Sequence, residues 1–232
     1  MKSIIESFAH YFKLPSYCLL CKQNNPSRLN LCPECIDCLQ PLTNGCACCA
    51  RPLNDGAGGL CGVCIKSQPS FNQVWCSYIY QEPLRSMIHD FKFKQQLHLV
   101  KTLGHLMMAS APSHLDNACI IPVPLHPNRL RNRGYNQASV LAKYLSRQCN
   151  IPVDYNLCKR VTNTLPQALL GIKERSSNTN NAFSARKSPY STCIIVDDLI
   201  TTGHTANELS KALKRQGVNC VFVWCIARAV SL

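Results

Sequence analysis

The chain has 232 residues, 46% of them hydrophobic and 16% charged, enough to bury a full α/β core and too apolar for wholesale disorder. No apolar run approaches the ~20 residues of a membrane-spanning helix, and the first residues lack the apolar core and cleavage site of a signal peptide. The formal net charge of +13 is uneven: six Lys/Arg stand against four Asp/Glu in residues 1–70, and nineteen against eight in residues 71–232. The second part favours polyanions such as phosphorylated metabolites, nucleic acid or an acidic lipid surface, although charge alone does not separate these from a solvated basic face.

Residues 1–13 carry Ile4, Ile5, Phe8, Tyr11 and Phe12 at helical spacing, which predicts a helix packed on its own domain, with a weak membrane-surface contact as the alternative. Pro15 ends it. Four Cys-x-x-Cys pairs follow: Cys18/Cys21, Cys32/Cys35, Cys46/Cys49 and Cys61/Cys64. Each pair is a knuckle that presents two thiolates, and two knuckles complete a tetrahedral four-sulfur site. Consecutive pairing gives one zinc ribbon from Cys18, Cys21, Cys32 and Cys35, and a second from Cys46, Cys49, Cys61 and Cys64. Crossed pairing stays open, with Cys38 and Cys48 as spare thiols. With ten of the 17 cysteines within residues 18–64 and no export signal, metal ligation outweighs disulfides and points to a reducing cytoplasm. So small a segment lacks a core of its own, so the zinc is read as structural.

Composition changes at Phe71, which sets three expected parts: an N-terminal helix over 1–14, a zinc-ribbon module over 15–70, and an α/β domain over 71–232. Residues 74–80 alternate like a strand, and 83–93 read as a helix. Lys92 and Lys94 interleave with aromatics, a pattern that stacks bases and meets phosphates, or else marks the wet face of a core helix. Residues 97–111 form a helix and 119–123 a buried strand. The following stretch, with Arg129, Arg131 and Arg133 at alternate positions before Gly134, reads as an oxyanion-binding loop, because guanidinium groups grip phosphate bidentately. A helix over 136–147, a strand-like piece over 156–161 and a polar lid over 162–182 come next. The strand 193–196 then runs into Asp197-Asp198-Leu199-Ile200-Thr201-Thr202-Gly203-His204-Thr205 and a helix over 205–216, and 218–227 is the last strand. Alternating strands and helices predict a parallel sheet flanked by helices, with no internal repeat. Ligands of such sheets bind beyond the carboxyl ends of the strands, where this turn lies. The two carboxylates suit a ribose diol or Mg²⁺. The threonine hydroxyls and the amides around Gly203 suit a phosphate at a helix start, against the alternative of an ordinary capped turn.

That order of residues resembles the phosphoribosyl-pyrophosphate (PRPP) loop of type I phosphoribosyltransferases. The resemblance implies that Asp197 and Asp198 hold ribose hydroxyls and that Thr201, Thr202, Gly203 and Thr205 hold the 5-phosphate. Cysteine knuckles, then Pro122 to His126 with Arg129 and Arg133 to Gln137, then this loop, are together similar to the ComF family of competence proteins over nearly the whole chain. This likeness implies a type I phosphoribosyltransferase-like sheet, PRPP bound with magnesium, and pyrophosphate at the Arg129/Arg131/Arg133 region. It also implies single-stranded DNA as a partner; the expected contacts are Lys92, Lys94, Arg131, Arg133, Tyr135, Lys159, Arg160 and Arg175. The implied role is DNA uptake across the inner membrane from a cytoplasmic or peripheral position, beside helicase or channel proteins and without a transmembrane segment. An alternative remains open, an active phosphoribosyltransferase for an unidentified acceptor, and no catalytic residue is assigned.

Overall fold

The computed structural model describes residues 16–25, 29–53, 59–112, 117–161 and 182–230. These belong to two compact units, Met1–Leu39 and Gln40–Leu232. The expected N-terminal helix and most of the expected lid, with Gln167, Lys173, Arg175 and Asn178, lie outside the described residues.

The first unit is a cysteine ribbon. Cys18 N–H bonds to the Gln23 carbonyl at 2.9 Å and Lys22 N–H to the Cys18 carbonyl at 3.0 Å, closing the first knuckle, with Lys22 in the left-handed region at φ 63°. Cys32 then opens a short helix, α1 (Pro33–Asp37), with proline in its first turn. The second unit begins with the same device. Cys46 N–H bonds to the Arg51 carbonyl at 2.7 Å and Ala50 N–H to the Cys46 carbonyl at 2.9 Å, with Ala50 at φ 55°; Cys61 opens α2 (Gly62–Lys66). Contrary to the sequence expectation, the chain therefore carries an internal repeat. It lives in the cysteines and the backbone turns, and the residues between them are unrelated.

The sheet of the second unit comprises β1 (Gln73–Ile79), β2 (Ala118–Pro122), β5 (Thr192–Ile200) and β6 (Cys220–Arg228), all parallel, in the order β1-β6-β5-β2. Its residues are nearly all buried on both faces, as parallel strands between two layers require. A parallel bridge from Ile120 to Val153 extends one edge, and an antiparallel bridge from Pro41 to Tyr78 covers the other. The helices are α3 (Leu84–Phe93), α4 (Leu99–Met107), α5 (Pro127–Arg133), α6 (Gln137–Cys149) and α7 (His204–Lys214). The α4 and α6 helices pack together, against β6 and against β2 and β5 respectively, and the Trp224 indole N–H anchors to the Met107 carbonyl at 3.1 Å. Gly104 of α4 has no room for a side chain: a Cβ there would meet the Tyr144 ring of α6 at 2.3 Å. Leu209, Ala212 and Leu213 of α7 share a core cluster with Ile121, Ile195 and Val223 of the sheet. Cys46, Cys48, Cys61 and Cys64 belong to that same cluster, so the division falls after Leu39 and not at residue 70, where composition changes. Cys76, Cys119, Cys193 and Cys225 are buried strand residues and behave as small apolar side chains.

Three elements differ from the sequence reading. Residues 158–160 form β3 (Cys158–Arg160), which pairs antiparallel with β4 (Phe183–Ala185) outside the parallel sheet. The arginine-bearing stretch is the two-turn helix α5, not a loop: His126 Nδ1 accepts the Asn128 N–H, Pro127 starts the helix, and Gly134 closes it at φ 82°. Strand β5 continues through both aspartates to Ile200, because its pairing with β6 persists to Ile200 and Arg228 after β2 has ended at Pro122.

Candidate functional site

The overhang of β5 beyond β2 opens one strand edge at the carboxyl end of the sheet. A cavity of about 520 Å³ lies there, lined by Asp197, Leu199 and Thr201 from β5 and its loop, by Thr205 in the first turn of α7, by Arg129, Asn132 and Arg133 of α5, and by Gln137 of α6. Arg160 of β3 and Lys92 of α3 add two further cations, while Tyr80, Ile88, His89, Phe93 and Leu125 form its less polar wall. A recess of about 30 Å³ is lined by Gly203, Ala206, Thr201 and Thr205.

Adjacent strand residues point to opposite faces, which separates the two aspartates. Asp197 opens on the cavity and accepts the Asp198 N–H at 2.9 Å. Asp198 is 1% exposed, and Lys92 Nζ lies 3.0 Å from its Oδ2 and 3.2 Å from its Oδ1. Their proton affinities diverge accordingly. Burial and the neighbouring Asp198 charge push the Asp197 carboxyl well above the usual carboxylate range. Burial also opposes ionisation of Asp198, but the Lys92 ammonium prevails and holds it below that range. On Lys92 burial favours the neutral amine, yet Asp198 and Asp197 keep the ammonium above its ordinary value.

The cations are crowded. Helical spacing puts Arg129 and Arg133 on one face of α5, at i and i+4, and leaves Arg131 exposed. Arg133 donates to Gln137 Oε1 at 2.7 Å and lies 5.2 Å over the Phe93 ring. Burial, then the nearby Arg129, bring Arg160 down to about 10, and burial with Arg133 lowers Arg129. Guanidinium groups that depress one another gain when an anion enters between them.

The threonine loop is built for a close approach. Gly203 adopts φ 83° as the cap of α7, and the His204 N–H points to Thr202 Oγ1 at 3.5 Å. A side chain on Gly203 would be strained there. The Asn136 side chain caps α6 through the Ala138 N–H at 3.0 Å and donates to the Val123 carbonyl at 3.0 Å, which fixes α6 to the end of β2.

The structure thus brings together Asp197, Thr201, Thr205, Arg129, Arg133, Arg160 and Lys92. Lys94 is exposed and paired with Asp90 at 2.9 Å, and Lys159 is exposed on β3. Tyr135 packs edge-on against Phe91, with ring centroids 5.9 Å apart. Lys92, expected on a nucleic-acid surface, turns inward to Asp198. Sequence reasoning missed Tyr80, His89 and Gln137 in the cavity wall, and it missed Arg228, a buried arginine closing an otherwise apolar strand. A lone charge at the end of such a run was the one available signal.

Each cysteine group has its four sulfurs within 4.8 Å of one another; Cys21 and Cys32 Sγ are 3.7 Å apart, Cys49 and Cys61 Sγ 3.6 Å. Tetrahedral zinc with Zn–S near 2.3 Å places its sulfurs about 3.8 Å apart, so both groups fit it. Burial opposes the Cys46 thiolate, but N–H groups of Cys49, Cys61 and Cys48 bring it down to about 6. Cys18 also falls to about 6, with N–H groups of Cys21, Cys32 and Leu20 overcoming burial. Burial and the surrounding thiols push Cys64 the other way, a crowding that a divalent cation relieves. The consecutive pairing of knuckles is the one in the structure.

Competence protein F of Haemophilus influenzae is 42% identical over 180 residues, spanning 73% of this chain and 78% of that protein. The chain belongs to the ComF family. The DNA utilization protein YhgH of Escherichia coli K12 is 28% identical to this ComF-family chain over 228 residues, or 94% of the chain and 99% of the relative. No protein-family model matches. A solved structure of the allosteric regulatory enzyme of purine biosynthesis is similar over 60% of this chain and 30% of its own, at 14% identity and a TM-score of 0.38.

Proposed function

We propose that this ComF-family protein is a competence factor for natural transformation that holds PRPP with magnesium in the β5 cavity and binds single-stranded DNA. One observation carries the reading: a carboxylate, two threonines at a glycine-opened helix start, and three arginines converge on one cavity at the carboxyl end of a parallel sheet. In this reading Asp197 meets the ribose diol, Thr201, Thr205 and the amides around Gly203 meet the 5-phosphate, and Arg129 and Arg133 meet pyrophosphate. Magnesium, when bound with PRPP, supplies countercharge to the phosphates, and Asp197 is the carboxylate placed to hold it. Zinc in the two ribbons serves folding. Relatives named for competence and for DNA utilization support a role in handling DNA; in this reading the protein acts in uptake at the inner membrane, beside helicase or channel partners. The basic balance of residues 71–232 and the exposed Lys94, Arg131 and Lys159 supply a backbone-following surface for single strands. Retention of labelled oligonucleotides should fall steeply with salt and depend little on sequence; retention equal to that of a neutral control protein at low salt refutes the DNA arm.

A second reading, phosphoribosyl transfer, draws on the less polar wall. Tyr80, Ile88, His89 and Phe93 offer a planar acceptor a surface beside the ribose end. Pyrophosphate release screened across bases and nucleosides decides it, and a blank across acceptors with PRPP binding intact removes it.

A further inference from the structure

The second cysteine ribbon and the phosphate loop meet on one side chain. Arg228 ends β6 and is 1% exposed. Its Nε donates to the Cys49 carbonyl at 3.0 Å. Its Nη1 donates to the Ile200 carbonyl at 3.2 Å, to the Thr201 carbonyl and to the Ala229 carbonyl at 3.4 Å. Cys49 is a member of the second four-sulfur group, and Thr201 begins the loop that lines the cavity. A buried guanidinium needs partners for its donors, and here Nε and Nη1 are met by the main chain of both sites at once.

The surrounding contacts make the linkage stiff. Val74 N–H bonds to the Cys48 carbonyl at 2.8 Å, and Asn72 exchanges hydrogen bonds with Val221 through its N–H at 2.7 Å and its Oδ1 at 2.9 Å. Ser70 N–H bonds to Asn207 Oδ1 of α7 at 2.7 Å. Phe71 is the nearest side chain to the space beside Gly203. The peptide leaving the second ribbon is thus fastened to α7, which follows the loop, and to β6, which pairs with β5.

We propose that Arg228 is a positioning residue that couples metal occupancy of the Cys46/Cys49/Cys61/Cys64 ribbon to the conformation of the 200–205 loop. Metal fixes the second ribbon and with it the Cys49 carbonyl. Arg228, held there by Nε, presents its other donors to Ile200 and Thr201 and sets the loop in its ligand-ready form. Loss of that metal frees the Cys49 end, loosens the loop and weakens anion binding; by reciprocity, an anion in the loop slows metal loss from this ribbon. A lysine does not replace the fork, because a single ammonium cannot span both carbonyl sets in fixed geometry. The consequence for ligand affinity rests on the proposed phosphoribosyl site; the coupling itself does not.

Hydrogen–deuterium exchange of the full zinc-loaded chain, followed in peptides covering residues 199–206, is the test. Cys64→Ser should speed exchange of this loop about tenfold, within the usual range of coupling between sites. Cys35→Ser, in the other ribbon, should leave it unchanged. In an Arg228→Lys background the loop should already exchange fast, and Cys64→Ser should add nothing. Equal acceleration by Cys35→Ser, no acceleration by Cys64→Ser, or full additivity with Arg228→Lys overturns the coupling. Should Cys64→Ser fail to fold, Arg228→Lys alone, which retains every cysteine, should release one of two zinc ions to a chromophoric chelator about tenfold faster than wild type; unchanged release of both overturns the proposal. A PRPP titration run alongside separates the two ideas: coupled exchange with no PRPP binding leaves the Arg228 coupling standing and removes the phosphoribosyl reading.

Discussion

The two cysteine ribbons share a backbone and differ in what lies behind them. In Met1–Leu39 the four cysteines of the sulfur group are one buried, one exposed and two intermediate, and the ribbon is most of the described part of its unit. In Gln40–Leu232 three of the four are buried, and Cys46, Cys48, Cys61 and Cys64 pack with Phe71, Val74 and the strands of the sheet. The same knuckle geometry is a self-contained staple in one place and a wall of a domain core in the other. A metal site that shares a core shares its free energy with whatever that core supports, which here includes the 200–205 loop.

The largest expected effect tests that asymmetry. Cys64→Ser should cost the second unit about 4 kcal/mol or more, since it removes both a metal ligand and a buried core side chain. Cys35→Ser should leave the unfolding transition of that unit in place. Scanning calorimetry of both variants checks this, and equal losses would erase the distinction.

The buried pair at the cavity comes next. Lys92→Met strands the Asp198 carboxylate and should cost about 3 kcal/mol at neutral pH. Because Asp198 titrates below its ordinary value of 3.8 in the folded protein, the stability from its pairing is present above that value and lost as pH falls through the folded one. The penalty of Lys92→Met should therefore shrink in acid; a penalty independent of pH would contradict the pairing. Asp197 has the opposite sign. Its folded value is raised, so it destabilises the protein as pH climbs through that value, and below 3.8 the effect is gone. Asp197→Asn should gain about 1 kcal/mol at neutral pH, roughly 2–4 °C in Tm, with the gain fading in acid. The same change should weaken PRPP binding, the signature of a site strained for its ligand.

The smallest effect separates the arginines of α5. Arg131→Ala should leave PRPP affinity unchanged and reduce the salt slope of single-strand binding by about one, whereas Arg133→Ala should lower PRPP affinity as well. Equal effects on PRPP would mean that helical spacing does not sort them.

Much of the second unit could be read from residue pattern, for reasons the structure makes plain. The apolar runs ending at Pro122 and in the aspartate pair are parallel strands, and the Asp-Asp-x-x-Thr-Thr-Gly order lies at the carboxyl end of the sheet. Where the pattern misled, the deciding interactions were main-chain or long-range. Helix α5 carries a single leucine among charged and polar residues, so no apolar stripe announced it, and Arg131 looked equivalent to its neighbours. The inward turn of Lys92 depends on Asp198, which lies 106 positions later in the chain. The cysteine pairs announce both ribbons, but the likeness of their turns is closed by main-chain carbonyls and leaves no further side-chain signature. Arg228 bonds to carbonyls of Cys49, Ile200 and Thr201, and no residue type at those positions foretells it.

Calorimetric titration of PRPP into the zinc-loaded protein, with and without magnesium, tests the proposed site most directly. Magnesium-dependent binding that weakens at least tenfold, about 1.4 kcal/mol, in both Asp197→Asn and Arg129→Ala is the expected result. Absence of binding by the folded wild type, or binding indifferent to both substitutions, would contradict it.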